Sequence, residues 1–169
     1  SYTLPTGTVE ILEYSKWSAL VNVLDPFNIF FNTPQEVEIN AADTASGIKE
    51  ILYTIVEDPV AVDAQGVPEI TSWDHTITNG GSFMISNPDG DKIVYVRIED
   101  NAGNIYYVST DGFVLDQVKP DITATPSFNA GTWTTDPNVS IDVVVSDATS
   151  GLDKTNVKLS YSADGNYNG

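Results

Sequence analysis

Carboxylates that open tight turns are the side chains of this chain best placed to do chemistry. Asp43-Thr44-Ala45-Ser46-Gly47 and Asp147-Ala148-Thr149-Ser150-Gly151 each set an Asp just ahead of a Ser and a Gly, and Asp100-Asn101-Ala102-Gly103-Asn104 sets a third among Asn and Gly. Such a carboxylate can accept the N–H bonds of its own turn, with Gly at the position of positive φ. Alternatively it can join a calcium site, because that cation takes about six to eight oxygens. Asp89, Asp91 and Glu99 are further carboxylates on which a site could draw, but no D-x-D-x-D-G loop with a Glu at its twelfth position occurs. We therefore expect Asp43, Ser46, Gly47, Asp100, Asn101, Gly103, Asn104, Asp147, Ser150 and Gly151 to be structural turn residues. No catalytic, cofactor or metal residue is assigned, and calcium is the one ion that would suit the set.

Other chemistry finds less support. Trp17, Trp73 and Trp133 are candidate sugar-stacking platforms, yet each lies beside a short apolar stretch, and large aromatics in small sandwiches fill the core or cover an open end. Packing roles are expected for all three. His75 is the single histidine; with no convincing nucleophile to serve, it reads as a surface or sheet residue. Ser, His and Asp all occur, but nothing in their spacing assembles a triad. Lys49 and Lys92 allow an amide crosslink to a neighbouring Asn or Asp, which would need a buried lysine beside a carboxylate.

Composition closes several routes. Seven basic residues against 24 acidic ones give a net charge of −17, without the Lys/Arg cluster that a polyanion requires, so nucleic acid is not an expected partner. The absence of cysteine removes disulfides, thiolate metal sites and thiol catalysis. No apolar run approaches the roughly 18 to 20 residues of a membrane span, so no membrane insertion is expected in this segment.

The elements that must carry these turns alternate with period two. Val37, Ile39 and Ala41 take one face of a strand and Glu36, Glu38 and Asn40 the other, the pattern of a half-solvated sheet. Ile51, Tyr53 and Ile55 repeat it, Val94, Val96 and Ile98 alternate with Tyr95 and Arg97, and Ile105 to Val108 add a β-branched and aromatic run. Asn79-Gly80-Gly81, Asn87 to Asp91 and Asn101 to Asn104 punctuate these runs, which predicts an all-β antiparallel sandwich. Trp17, Leu20, Val21 and Leu24 fall at helical spacing between Ser15 and Pro26, which predicts one short helix. Residues 58–81, with Pro59, Gly66 and Pro68, read as an irregular connection between sheets.

Comparison of the chain with itself sets the domains. Asp43 to Ile48 recurs 104 residues later as Asp147 to Leu152, and at the same shift Val37, Ile39 and Ala41 fall on Ile141, Val143 and Val145. Ile51, Tyr53 and Ile55 meet Val157, Leu159 and Tyr161 after a further two residues. We therefore expect a domain over 1–118 and the opening of a similar one over 119–169, about three strands long and too short to bury two facing sheets. The chain is accordingly expected to end at Gly169 short of the repeat's natural end. Pro120 stiffens the joint by biasing Val118-Lys119 toward extended backbone. The first part holds four basic and 18 acidic residues, a net −14, and the second three and six, a net −3.

Pro5 to Ile11, Trp17-Ser18, Phe27, Phe30-Phe31, Asp43 to Gly47, Trp73, Tyr95, Asp100 to Asn104 and Asp111-Gly112 through Leu115-Asp116 stand in an order that resembles the bacterial immunoglobulin-like repeats of large Gram-positive surface proteins. Residues 119–169, with Trp133-Thr134-Thr135, Asp147 to Gly151 and Tyr161 to Gly165, resemble the start of another. The resemblance implies an immunoglobulin-like antiparallel β-sandwich with one short helix, followed by a partial second immunoglobulin-like domain. It also implies an extracellular, cell-surface or cell-wall location and no enzymatic activity. Neighbouring immunoglobulin-like domains of the same chain are the implied partners, in a stalk or spacer that presents an adhesive module. Two other roles stay open: an adhesin domain that recognises a glycan or extracellular host protein, and an accessory domain of a larger secreted enzyme.

Overall fold

The computed structural model describes residues 3–12, 29–57, 70, 72–129, 131–153, 155, 157, 158 and 160. The chain divides into two compact units, Ser1–Val118 and Lys119–Gly169. All regular structure among the described residues is β. The first unit holds β1 (Thr6–Ile11), β2 (Phe30–Phe31), β3 (Gln35–Ala42), β4 (Ile48–Glu57), β5 (His75–Ile77), β6 (Gly81–Ile85), β7 (Gly90–Asp100), β8 (Ile105–Ser109) and β9 (Phe113–Leu115). The second holds β10 (Asp121–Pro126) and β11 (Ile141–Ser146). The helix expected over 17–24, and Trp17 with it, lie outside the described residues.

Two sheets make up the first unit. One is antiparallel, in the order β1-β3-β6. The other runs β2-β9-β7-β4-β5, with β8 on the same edge of β7 as β9 and the short β2 parallel to β9. Between β8 and β9 the ladder is carried by one residue: Thr110 N–H donates to the Val94 carbonyl at 2.9 Å, and the Thr110 hydroxyl accepts from Val94 N–H at 3.0 Å.

The alternation read from the sequence becomes the core. Val37 and Ile39 of β3 are fully buried, Glu36 and Asn40 are exposed, and the inward side chains of β1, β3, β4, β7 and β9 share one apolar cluster. That is the arrangement of a β-sandwich, in which each sheet hides the face that alone would stay wet. Tyr53 stacks on Phe83 of the opposite sheet at 4.0 Å and on His75 of its own at 4.8 Å, which ties the sheet edges together.

Strand β7 departs from the half-solvated expectation. Val94, Val96 and Ile98 face the core, but Ile93 and Tyr95 on the other face are buried too. The chain at 72–74 covers part of that face: the Thr54 hydroxyl donates to Asp74 Oδ2 at 2.7 Å, and Trp73 stacks on Tyr107 at 6.0 Å. Such cover takes a connection that crosses a sheet, which no local period encodes.

In the second unit β10 and β11 form an antiparallel ladder from Asp121↔Ser146 to Pro126↔Ile141. Its six pairs match, one for one, the six pairs Thr6↔Ala42 to Ile11↔Val37 of β1 and β3. None of the twelve ribbon residues is buried. One expectation needs correction here and another falls largely outside the described residues. The third strand is not seen among the described residues, since Val157 lies outside any strand and is 53% exposed, while Leu159 and Tyr161 fall outside them. Trp133 fills no core and is fully exposed, because the described part of this unit has no second sheet to receive an indole.

Candidate functional site

Residues 43–47 carry the chain from β3 in one sheet to β4 in the other. Asp43 Oδ2 accepts the N–H groups of Ser46 at 2.6 Å and Gly47 at 2.8 Å, and the Ser46 hydroxyl at 3.0 Å. Gly47, at φ 78°, sits where a side chain would be strained. The β7–β8 hairpin is built the same way: Asp100 Oδ1 accepts Ala102 N–H at 2.9 Å and Asn104 N–H at 2.8 Å, and Oδ2 accepts the Asn104 amide at 2.7 Å. Gly103 has φ 84°.

Asn101 locks the two turns together. Its side-chain amide donates to the carbonyls of Ser46 at 2.8 Å and Gly47 at 3.1 Å, and its backbone N–H donates to Gly47 at 3.0 Å. The N–H bond from Ser46, followed by those from Gly47 and the Ser46 hydroxyl, holds the Asp43 carboxyl below its ordinary 3.8. Burial works against ionisation of Asp100, but the donors on Asn104, Ser46 and Ala102 outweigh it and this carboxyl is lowered as well. In the second unit Asp147 Oδ1 accepts from Thr149, Ser150 and Gly151 N–H at 3.2, 3.0 and 2.9 Å, and Gly151 has φ 76°.

Calcium gains nothing from this geometry. No group of three or more His, Cys, Asp or Glu that could hold a metal ion exists among the described residues. Asp91 and Asp100 stand at opposite ends of β7, about 30 Å apart at the rise of an extended strand. Asp89 instead accepts the Gln117 backbone and side-chain N–H groups, both at 3.0 Å.

A second cluster lies on the outer face of the larger sheet. Lys49 Nζ reaches Glu99 Oε1 at 2.6 Å, Arg97 Nη2 reaches Glu99 Oε2 at 2.6 Å, and Arg97 Nη1 reaches Glu50 Oε1 at 3.0 Å. The bond from Lys49, then that from Arg97, lowers the Glu99 carboxyl, and the Glu99 bond raises Lys49. Tyr107 bonds Arg97 and carries Trp73 stacked on its ring. Sequence reasoning missed this chain of charges, because it follows from the β4–β7–β8 register, which places Glu50 opposite Glu99 and Leu52, Arg97 and Tyr107 in one row.

The remaining candidates separate. Lys92 is 1% exposed, on the core-facing side of β7, and its Nζ stands 3.7 Å from Glu57 Oε1; Lys49 is half-exposed and ion-paired. The Ser72 hydroxyl donates to Asp74 at 2.7 Å while His75 stacks on Tyr53. A shallow cavity of about 310 Å³ is lined by Val9, Glu10, Ile11, Ser109, Thr110 and Asp111. Trp73 packs on the sheet's outer face rather than in the core. Neither a protein-family model nor a curated protein sequence matches the chain.

Proposed function

We propose that this chain is a non-catalytic, extracellular immunoglobulin-like module of a bacterial surface protein that spaces or presents another module. The observation that carries the reading is repetition of structure. The six-pair ladder of β1 and β3 and the Asp-x-x-Ser-Gly turn that follows it recur in the second unit with the same register and the same hydrogen bonds. A module used in series needs its edges and turns reproduced, whereas a catalyst needs a single cleft with convergent titratable groups.

The strand order supports the immunoglobulin-like part of the reading. Strands β1, β3 and β6 correspond to A, B and E on one sheet. On the other, β4, β7 and the β8–β9 pair correspond to C, F and G, with β5 as an extra strand beside C. The chemistry found at the loop end is spent inside the fold: Asp43 and Asp100 bond their own turns, Asn104 bonds Asp100, and Asn101 joins the two turns.

The adhesin reading rests on the outer-face cluster. Trp73 over Tyr107, beside the carboxylates and guanidinium of Glu50, Glu99 and Arg97, offers a ring face with adjacent donors and acceptors, the combination that suits a sugar. A glycan and extracellular-matrix binding screen of the 169-residue protein, with and without calcium, separates the two readings. The spacer predicts no binding and a melting temperature indifferent to calcium. Binding that disappears in Trp73→Ala would replace it with the adhesin.

A further inference from the structure

We propose that the outer edge of β1, at residues 9–11, binds an extended, Lys- or Arg-bearing segment of a partner protein, which adds to the smaller sheet as a strand. The hydrogen-bond phase of β1 decides which groups that edge offers. Leu12 N–H donates to the Glu36 carbonyl at 3.0 Å, and the register carries the bonded phase along the ladder to Glu10↔Glu38, Thr8↔Asn40 and Thr6↔Ala42. Gly7, Val9 and Ile11 alternate with them, so their N–H and carbonyl groups point away from β3. Strand β3 shows the same phase on its other side, where Ala41 N–H donates to Asn79 Oδ1 at 2.7 Å and the Ile39 carbonyl accepts from Gly80 N–H at 2.9 Å. Among the described residues β1 is an edge of its sheet, and no backbone bond reaches the outward groups of Val9 and Ile11.

An open edge is a template for another strand, and this one has space beside it. The cavity of about 310 Å³ is lined by Val9, Glu10 and Ile11 from β1 and by Ser109, Thr110 and Asp111 from the end of β8 and the residues after it. Asp100 N–H donates to the Asn104 carbonyl at 3.0 Å, which by the same alternation turns the N–H and carbonyl of Ser109 away from β7. A strand laid along β1 therefore meets backbone donors and acceptors from β1 and β8 alike.

Charge selects the occupant. Glu10 stands directly opposite Glu38, and no cation among the described residues pairs with either. Asp111 adds a carboxylate to the cavity, and the first unit carries −14 of the net −17. In an added ladder Glu10 falls in a non-hydrogen-bonded pair, where facing side chains come closest, so the residue opposite it gains as Lys or Arg and loses as Asp or Glu. The residues on either side of that cation turn inward with Val9 and Ile11, toward the layer between the sheets, and are apolar. So few pairs bind weakly, and the alternation of apolar and basic residues supplies the specificity. The edge is open whether the module only spaces or also adheres, and it involves neither Trp73 nor Tyr107.

Amide NMR of the 169-residue protein titrated with a synthetic peptide, acetyl-Thr-Val-Lys-Val-Thr-amide, tests this. In the free protein the Val9 and Ile11 amides should exchange quickly while those of Thr8 and Glu10, bonded to β3, are protected. The peptide should shift and protect Val9 and Ile11. Its counterpart with Glu in place of Lys, and a Lys peptide N-methylated along the edge that faces β1, should each bind more than about tenfold more weakly. Glu10→Lys should reverse the preference between the Lys and Glu peptides. Asp142→Lys, the same change of charge in the second unit, should leave it as in the parent, and so should Trp73→Ala, the variant that tests the adhesin reading. The proposal is overturned if Val9 and Ile11 are already protected in the free protein, or if they shift with protein concentration alone, since the chain or a second copy then fills the edge. Shifts that map elsewhere or do not occur, equal binding of the three peptides, or equal effects of the two lysine variants overturn it as well.

Discussion

At the scale of the residue, two charged groups carry opposite consequences for stability. Asp100 is 1% exposed and holds three donors of its own hairpin. Its carboxyl, like that of Asp43, lies below the ordinary 3.8, so each binds its proton less readily folded than unfolded. Their contribution is complete above the unfolded value and is lost as the pH falls through the folded one. Denaturant melts along a pH series should show stability declining below pH 3.8, with Asp100→Ala less stable at neutral pH and its acid decline shallower. An acid limb of equal slope in that variant would assign the loss to other groups. Lys92 is the contrary case, a cation inside the core with one half-exposed partner. A buried ion pair often stabilises no more than apolar packing of equal volume. Lys92→Met should therefore match or exceed the parent in chemical denaturation, while Lys92→Ala should lose about 2–5 kcal/mol to the space it leaves. A Met variant as unstable as the Ala variant would show that the ammonium itself is required.

Strands meet on tolerances that single residues set, and Gly7 sets one of them. A Cβ there would collide with Ile98 Cδ1 of the facing sheet and lie 2.7 Å from the Asn40 carbonyl. Gly7→Ala should cost about 1–3 kcal/mol by overpacking, and shortening the opposing side chain in Gly7→Ala/Ile98→Val should recover part of it. A double-mutant cycle read by denaturation checks this; strict additivity would mean that the two do not share the space. In the second unit the same ladder position holds Ile122.

Over the whole molecule, charge is the property that acts. With net −17 on 169 residues, folding gathers like charges, and three of the seven cations are already committed: Lys49 and Arg97 to Glu99 and Glu50, Lys92 to Glu57. Added sodium chloride should raise the neutral-pH melting temperature, because screening relieves long-range repulsion more than it weakens the close, partly buried Arg97 pairs. A melting temperature that falls with salt would mean that the ion pairs outweigh the repulsion.

What the sequence determined by itself is what acts over a few residues. Period-two alternation marked the inner faces of β3, β4 and β7, and the Asp-to-Gly spacing placed carboxylates within reach of N–H groups three and four residues on. Repetition at a fixed shift of 104 residues linked β3 to β11. What acts between strands was settled only in three dimensions. Burial of Tyr95 and Ile93 on the second face of β7 is decided by what lies over that sheet face, not by the strand's own alternation. The Lys49–Glu99–Arg97–Glu50 chain depends on register, and the exposure of Trp133 depends on there being no second sheet above it among the described residues. A hydrogen bond within a turn or a side-chain alternation is fixed by neighbours along the chain. A contact between strands far apart in sequence is fixed by the sum of all pairings, and no single stretch of residues contains that sum.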